Sequence, residues 1–403
     1  MASSVLYHNA DNSIVLIDIP ASIETAQQSQ LIIASTPALK TPYPSTEPQG
    51  DKRVMVLAGI SARDQNYHCS VQNSIQESIA HIKTLFIDGQ GGSWYRTRQY
   101  LIRSDTNTGS SWIGARALPE KSQRSESKSS LSVQANLVPV ILSTTELRNN
   151  FPSLHQMQDV VVHNPRSHAS RICLPDQGAF WIPPNATCIQ STLEAGLEGF
   201  MIGSKALSIP KSQAFELILM DPPWTNRSVR RSGSYQTAET QMMDPFNSAV
   251  QIARCHLVPH GIVAVWITNR SSIRNIVVET FRAMGLGLFQ ESIWVKITAE
   301  GHPVTQLDGV WRRPYEVCLM FRRGTNVDRE PHRQILVAVP DVHSRKPNLK
   351  SLLEQHLPPR YEALELFARS MTAGWWSWGD EVLKFQHESQ WTEEPDPDFS
   401  VVS

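Results

Sequence analysis

An α/β fold with a buried parallel sheet, preceded by a smaller mixed α+β domain, is the architecture this 403-residue sequence predicts. Two observations carry the prediction. From about residue 171 onward, β-rich apolar runs alternate with segments of helical spacing, the pattern of strands linked by crossover helices. The runs themselves are apolar nearly throughout, as strands covered on both faces must be.

The elements follow in order. Up to about residue 103, short apolar runs ("SIVLIDI", "RVMVLAGI", "TLFIDG") alternate with polar turns, which suggests several strands in a small mixed domain. Residues 104–132 are rich in serine and charge and poor in aliphatics, the composition of a disordered insertion. "ANLVPVILS" and "DVVVHN" resume the apolar content and lead to "FWIPPNATCIQSTL". The expected strands are then 215–220, 261–269, 291–297, 315–321 and 334–339. "PFNSAVQIARCHL" and "SIRNIVVETFRAMG" have helical spacing between them, the second stopping at Gly285. "PPRYEALELFARSM", with apolar Leu364, Leu366 and Phe367, reads as a late helix started by proline. The expected divisions are an accessory domain over 1–170, a second domain over 171–387 and an acidic tail over 388–403.

Composition narrows the function classes. Hydrophobic residues make up 40% and charged residues 19%, ordinary globular values, and a formal net charge of -1 provides no global attraction to polyanions. Any nucleic-acid site must therefore be local. Five cysteines, odd in number and never in C-x-x-C spacing, argue against a disulfide framework or a structural zinc site, so no metal is expected. No apolar run reaches the length of a membrane span, and a cytosolic or nuclear protein without membrane partners is the expectation.

The segment that carries chemistry is "FELILMDPPWTNRSVRRSGSY", residues 215–235. In an open α/β sheet, ligands bind beyond the carboxyl ends of the strands, and the strand at 215–220 delivers Asp221 to that edge. Pro222 biases Asp221 toward an extended conformation, and the paired prolines stiffen the turn. The Asp221 carboxylate and neighbouring carbonyls become an acceptor array, while Trp224 offers a flat apolar face. These parts suit a planar ring bearing an exocyclic amine. Acceptors at that amine favour positive charge developing on nitrogen as it attacks an electrophilic methyl group. Arg227, Arg230 and Arg231 follow at once, in a loop without apolar periodicity that is suited to phosphate.

"DPPWTNRSVRRS" resembles the signature of the DPPW-type N6-adenine methyltransferases, the superfamily of the mRNA N6-methyladenosine writer, and within it the methyltransferase-like-four branch. "WIPPNATCIQSTL", "VWITNR", "RRPYE", "HSRKP" and "LELFARSMTAGWWSWGDEVLKF" agree in order, so the resemblance runs from about Ile182 to Phe385. It implies a Rossmann-like methyltransferase domain with permuted motif order and S-adenosyl-L-methionine as cofactor. The permuted order accounts for the missing early G-x-G-x-x-G fingerprint.

By the same resemblance, Asp221, Pro222, Pro223 and Trp224 form the catalytic tetrad, with Asp221 also beside the cofactor. Thr192 and Leu193 would meet its adenine, and Lys346 its carboxylate. Glu365, Leu366, Phe367, Arg369, Asp380 and Glu381 would line its ribose and amino-acid end. Asn226, Arg227, Arg230, Arg231, Arg312 and Arg313 are the expected substrate contacts. Thr192-Leu193 stands where relatives place Asp-Ile, and Asp380-Glu381 where the mRNA writer has Asn-Gln. The expected reaction is methylation of adenine N6 in RNA, with small nuclear RNA the target the branch implies and the nucleus the location. The alternatives are adenine in DNA, or a non-catalytic RNA-binding or scaffolding subunit.

Overall fold

The apolar runs become strands of one sheet. The computed structural model describes residues 3–100, 137–208, 214–224, 237–326 and 329–393. The insertion expected at 104–132, residues Asn226, Arg227, Arg230 and Arg231, and the tail from 394 onward lie outside these.

In chain order the sheet's strands are Val5–His8 (β1), Ile14–Ile17 (β2), Val140–Ile141 (β3), Val161–His163 (β4), Thr187–Gln190 (β5) and Phe215–Met220 (β6). Leu257–Ile267 (β7), Leu286–Lys296 (β8), Tyr315–Arg323 (β9), His332–Ala338 (β10), Ala363–Leu366 (β11) and Trp376–Gly379 (β12) complete it. Across the sheet they stand in the order β1-β2-β10-β8-β9-β7-β6-β11-β12-β5-β4-β3. From β5 through β7 all neighbours are parallel, and β9 is wedged antiparallel between β7 and β8.

That order holds the switch point. From β6 the chain moves outward on one side to β7, and it later returns on the other side of β6 to lay down β11 and β12. Connections leave β6 and β11 in opposite directions, so a crevice opens beyond their carboxyl ends. The register Met220↔Leu366 sets Asp221 opposite the residue that follows β11.

Helices cover both faces. The helices are Ile19–Gln27 (α1), Gly50–Ala58 (α2), Ala62–Ile82 (α3), Leu197–Leu207 (α4), Thr237–His256 (α5), Ser271–Ala283 (α6) and the short Lys350–Leu353 (α7). Val71 and Ile75 of α3, Phe246 of α5, and Val277 and Phe281 of α6 pack onto one face against Val265, Ile267 and Val317. Ile19 and Ile23 of α1, with Leu352, Leu353 and Trp375, cover the other against Leu219, Trp266 and Cys318. α6 ends as its sequence requires, with Gly285 at φ +76, a conformation open to glycine at little cost.

Two expectations meet a different arrangement. The late helix is replaced by β11: Ala363, Leu364 and Leu366 are fully buried between β6 and β12, and pairing on both sides outweighs the helix propensity of Ala, Leu and Glu. The sheet also crosses the division near residue 170. β2 pairs in parallel with β10, and β4 pairs antiparallel with β5, so early strands extend both edges of the later sheet. Val15, Leu16 and Ile17 are buried there, giving that pairing an apolar reason.

A buried ion pair ties the chain's ends to this frame. Arg345 donates to Asp341 Oδ2 at 2.6 Å, to the Ala34 carbonyl at 2.9 Å and to Gln390 Oε1 at 2.9 Å. Removing the cation strands a carboxylate whose side chain is fully buried, a loss of roughly 3–5 kcal/mol. Arg345→Met is therefore expected to lower the urea midpoint sharply, and adding Asp341→Asn to recover part of the loss. Equal midpoints for the wild type and Arg345→Met would show the pair to be dispensable.

Candidate functional site

Strand parity builds the site. Side chains alternate along a strand, so Leu217, Leu219 and Asp221 share one face, as do Cys318 and Glu316 on β9. Trp294 of β8 lies opposite Glu316, and Trp266 of β7 lies opposite Cys318. Asp221 and Glu316 thus reach the same sheet edge beside two tryptophans.

Lys346, from the loop before α7, joins them. Its Nζ lies 3.1 Å from Asp221 Oδ1 and 2.8 Å from Glu316 Oε2, and 4.5 Å above the centre of the Trp266 ring. Lys296 closes on the other Glu316 oxygen while resting 4.5 Å over Trp294. Carboxylates and ammonium groups therefore alternate: Asp221, Lys346, Glu316, Lys296. Burial alone raises the Glu316 carboxyl, but the two lysines win and hold it down at about 2. Burial works against the charge on Lys346, yet Asp221 and Glu316 raise its affinity for the proton overall.

Glu365, at the end of β11, has no such cation among the described residues. Desolvation and the charge of Asp221 push its carboxyl up to about 8, so it is protonated at neutral pH. Phe367, two residues on, takes φ +61, uncommon for a side chain of that size, and turns the chain sharply at the crevice. Ala368 N–H then bonds the Trp378 carbonyl at 3.0 Å, which ties the turn to β12.

Trp224 is fixed from two sides. Its indole Nε1 donates to the Trp266 carbonyl at 2.8 Å, and its ring packs 5.4 Å from Phe246. Its backbone N–H bonds the Pro222 carbonyl at 2.8 Å, which closes the turn tightly. Pro222 is buried and Pro223 exposed.

The other expected residues divide into groups. Arg369 pairs with Glu381 at 3.0 Å, and Lys384 reaches the same carboxylate at 2.9 Å, while Asp380 is exposed beyond β12. Leu193 is buried in the core, and the Thr192 carbonyl accepts from Trp378 Nε1 at 3.3 Å. Leu366 is fully buried in β11. Arg312 and Arg313 stand apart, on the loop between β8 and β9. Glu47 holds that loop by accepting from the backbone N–H groups of Val310, Trp311 and Arg312 at 2.7–3.0 Å, and Arg53 pairs with Asp308 at 2.9 Å.

Glu316, Lys296, Trp266 and Trp294 were not assigned from sequence. The signal was present in "RRPYE" and "VWITNR": alternation from the buried Cys318 places Glu316 on the face of Asp221. Gln190 was also missed. It lies beside Gly379 at the ends of β5 and β12, and its Oε1 is buried without a donor among the described residues. Among the described residues, no cluster of His, Cys, Asp and Glu is arranged to hold a metal ion, and no helix is long and apolar enough to cross a membrane.

Against known proteins, the model of the MT-A70 family matches residues 215–381. The chain is 38% identical over 240 residues to the N6-methyladenosine RNA methyltransferase MTA1 of Cryphonectria parasitica, covering 56% of this chain and 68% of that protein. It is 27% identical over 423 aligned positions to MTA1 of Pyricularia oryzae, covering 97% of each chain. It is 32% identical over 278 residues to the human N(6)-adenine-specific methyltransferase METTL4, covering 60% of this chain and 55% of that protein.

The protonated Glu365 has a consequence for stability. A carboxyl raised by folding binds its proton more tightly in the folded state, so stability falls as pH climbs from its ordinary value of 4.5 toward about 8. Glu365→Gln removes that proton equilibrium. Thermal melts of the cofactor-free protein should coincide for wild type and variant at pH 5, with the variant melting higher at pH 9. A variant that melts lower throughout would place Glu365 in a stabilising pair instead.

Proposed function

The chain belongs to the MT-A70 family, and from that premise we propose that it methylates the N6 amine of adenine in RNA, with Asp221 as the acceptor at the reacting nitrogen. Membership makes it an N6-adenine methyltransferase that uses S-adenosyl-L-methionine. The RNA substrate, the small nuclear RNA target, the nuclear location and the roles of individual residues are our reading. What supports RNA is the name borne by the two MTA1 relatives, one of them alignable along nearly the whole chain.

The residues at the switch point fit the cofactor. Gln190 Oε1 is a buried acceptor awaiting a donor, protonated Glu365 can exchange hydrogen bonds with a hydroxyl, and Lys346 and Arg369 offer cationic groups for a carboxylate. Three of them, Gln190, Glu365 and Arg369, come from the ends of β5 and β11 or the loop that follows β11, and Lys346 crosses from the far side of Asp221. These residues, with Asp380 and Thr192 at the rim, would hold S-adenosyl-L-methionine, which supplies an electrophilic methyl group.

One observation carries the mechanism: Lys346 engages Asp221 Oδ1, while Oδ2 has no protein donor among the described residues. That oxygen can accept from an exocyclic amine. An amine bonded to a carboxylate is a better nucleophile, and the positive charge that grows on its nitrogen is met by a fixed negative one. Lys346 orients Asp221, and its own charge is balanced by Glu316. Trp224, locked by Phe246 and the Trp266 carbonyl, forms a rigid wall for a flat base. An adenine inside a duplex is inaccessible to such a wall, so the target is unpaired or flipped out.

Radiolabelled S-adenosyl-L-methionine offered with matched RNA and DNA oligonucleotides tests the reading. The expected outcome is transfer to RNA, reduced by roughly 10²–10³-fold in Asp221→Asn, with cofactor binding by calorimetry retained. Transfer confined to DNA would replace RNA in the proposal. Absence of both cofactor binding and transfer would favour the scaffolding alternative.

A further inference from the structure

A basic groove starts on the sheet face opposite Glu316 and reaches round the edge where β8 begins and β9 ends. Its first part, a cleft of about 330 Å³, runs between α3 and α6 and is bordered by Arg63, Arg270, Arg274, Arg282 and Arg329. A second cleft of about 500 Å³ shares Leu288 and Arg329 with it and adds Arg322 and Arg323. Seven arginines thus border the joined clefts against three carboxylates among the described residues: Asp64, Glu279 and Glu330. In a chain with 37 basic and 38 acidic residues this is a local excess of positive charge. Arg274 is balanced by Glu291 beneath it, and His68 is held near 4 by burial, so it is neutral at physiological pH. The remaining excess belongs to exposed side chains, above all Arg63, Arg322, Arg323 and Arg329, while exposed Arg282 is held loosely by Glu279 at 3.7 Å.

The groove starts beside the catalytic turn. Thr268, on its wall, follows by two residues the Trp266 carbonyl that anchors Trp224. From there it follows one side of α6, and the rise of the helix from Arg274 to Arg282 gives it about 12 Å of length before the second cleft begins. Flat groups line it as well: Arg274 stacks 4.8 Å from Tyr67, and Arg322 stacks 4.8 Å from Phe289. Guanidinium groups recognise phosphate bidentately, and aromatic faces accept bases without regard to sequence.

We propose that this groove binds the phosphate backbone of the single strand that carries the target adenine, guiding it away from Trp224 along α6 toward Arg323. The inference rests on the nucleic-acid reading of the catalytic site, and it assigns the strand's path, which that reading leaves open.

The test uses the full chain, unlabelled cofactor and fluorescent oligonucleotides of 5 and 30 nucleotides in RNA and DNA form. The variant is Arg282→Glu with Arg323→Glu, and Arg282→Lys with Arg323→Lys is the control that keeps the charge. Both positions are exposed, and the folding of each variant is checked by its melt. The expected result for the charge reversal is at least a tenfold weaker hold on the 30-mer and a salt dependence flatter by about 1.4 in log-log slope. Its KM for the 5-mer should stay within twofold of wild type, as should cofactor affinity, and the lysine control should bind like wild type. Equal losses on both lengths, an unchanged salt slope, or binding of poly-glutamate in place of either strand would overturn the proposal. If the wild type binds strands through the groove but methylates neither RNA nor DNA, the catalytic reading fails and the groove stands. A preference for RNA or for DNA in the binding arm identifies which strand it carries.

Discussion

Lys346 is the constraint on which the site depends. Three carboxylates, Asp221, Glu316 and Glu365, are brought to one sheet edge by strands whose positions are fixed by core pairing. Left alone they would repel one another. One ammonium group between Asp221 and Glu316, with Lys296 behind, sorts them into three states. Glu316, held by two cations, stays charged far into acid, and Glu365, with none among the described residues, keeps its proton near neutrality. Asp221 pairs with Lys346 through one oxygen, and the other meets no donor among the described residues. A carboxylate that shares its cation with a neighbour can hold an amine without being saturated by its own protein.

The sheet makes that sorting possible, and much of it was legible in the sequence. The run 215–220 was read as a buried strand, and its end delivers Asp221 where the switch point lies. Lys346 was assigned to the cofactor's carboxylate from the "HSRKP" motif, and in the fold its ammonium group meets Asp221. The charge relay through Glu316 and Lys296 was not visible, because it depends on which strands are neighbours. β8 and β9 are separated by a long loop, and only their antiparallel register sets Trp294 opposite Glu316. The strand Ala363–Leu366 was hidden for the same reason: its composition favours a helix, and β6, one of its two parallel partners, comes from a distant part of the chain.

The early part of the chain was the least legible, since its runs are short and β2 finds its parallel partner β10 near the other end of the fold. In the fold it extends both sheet edges and supplies α3, one wall of the basic groove. It also decides what the loop carrying Arg312 and Arg313 can bind. Three consecutive backbone N–H groups at Val310, Trp311 and Arg312 form a concavity that would suit an anion, and the Glu47 carboxylate fills it. A phosphate approaching this loop finds the backbone donors taken and must be met by side chains. Arg313 is half-buried in the field of Glu47, Asp64 and Tyr67, which leaves exposed Arg312 as the better placed of the two. The surface that meets substrate is therefore composed jointly: the later strands supply the chemistry at Asp221, and the earlier segment selects which positive charges around it remain available.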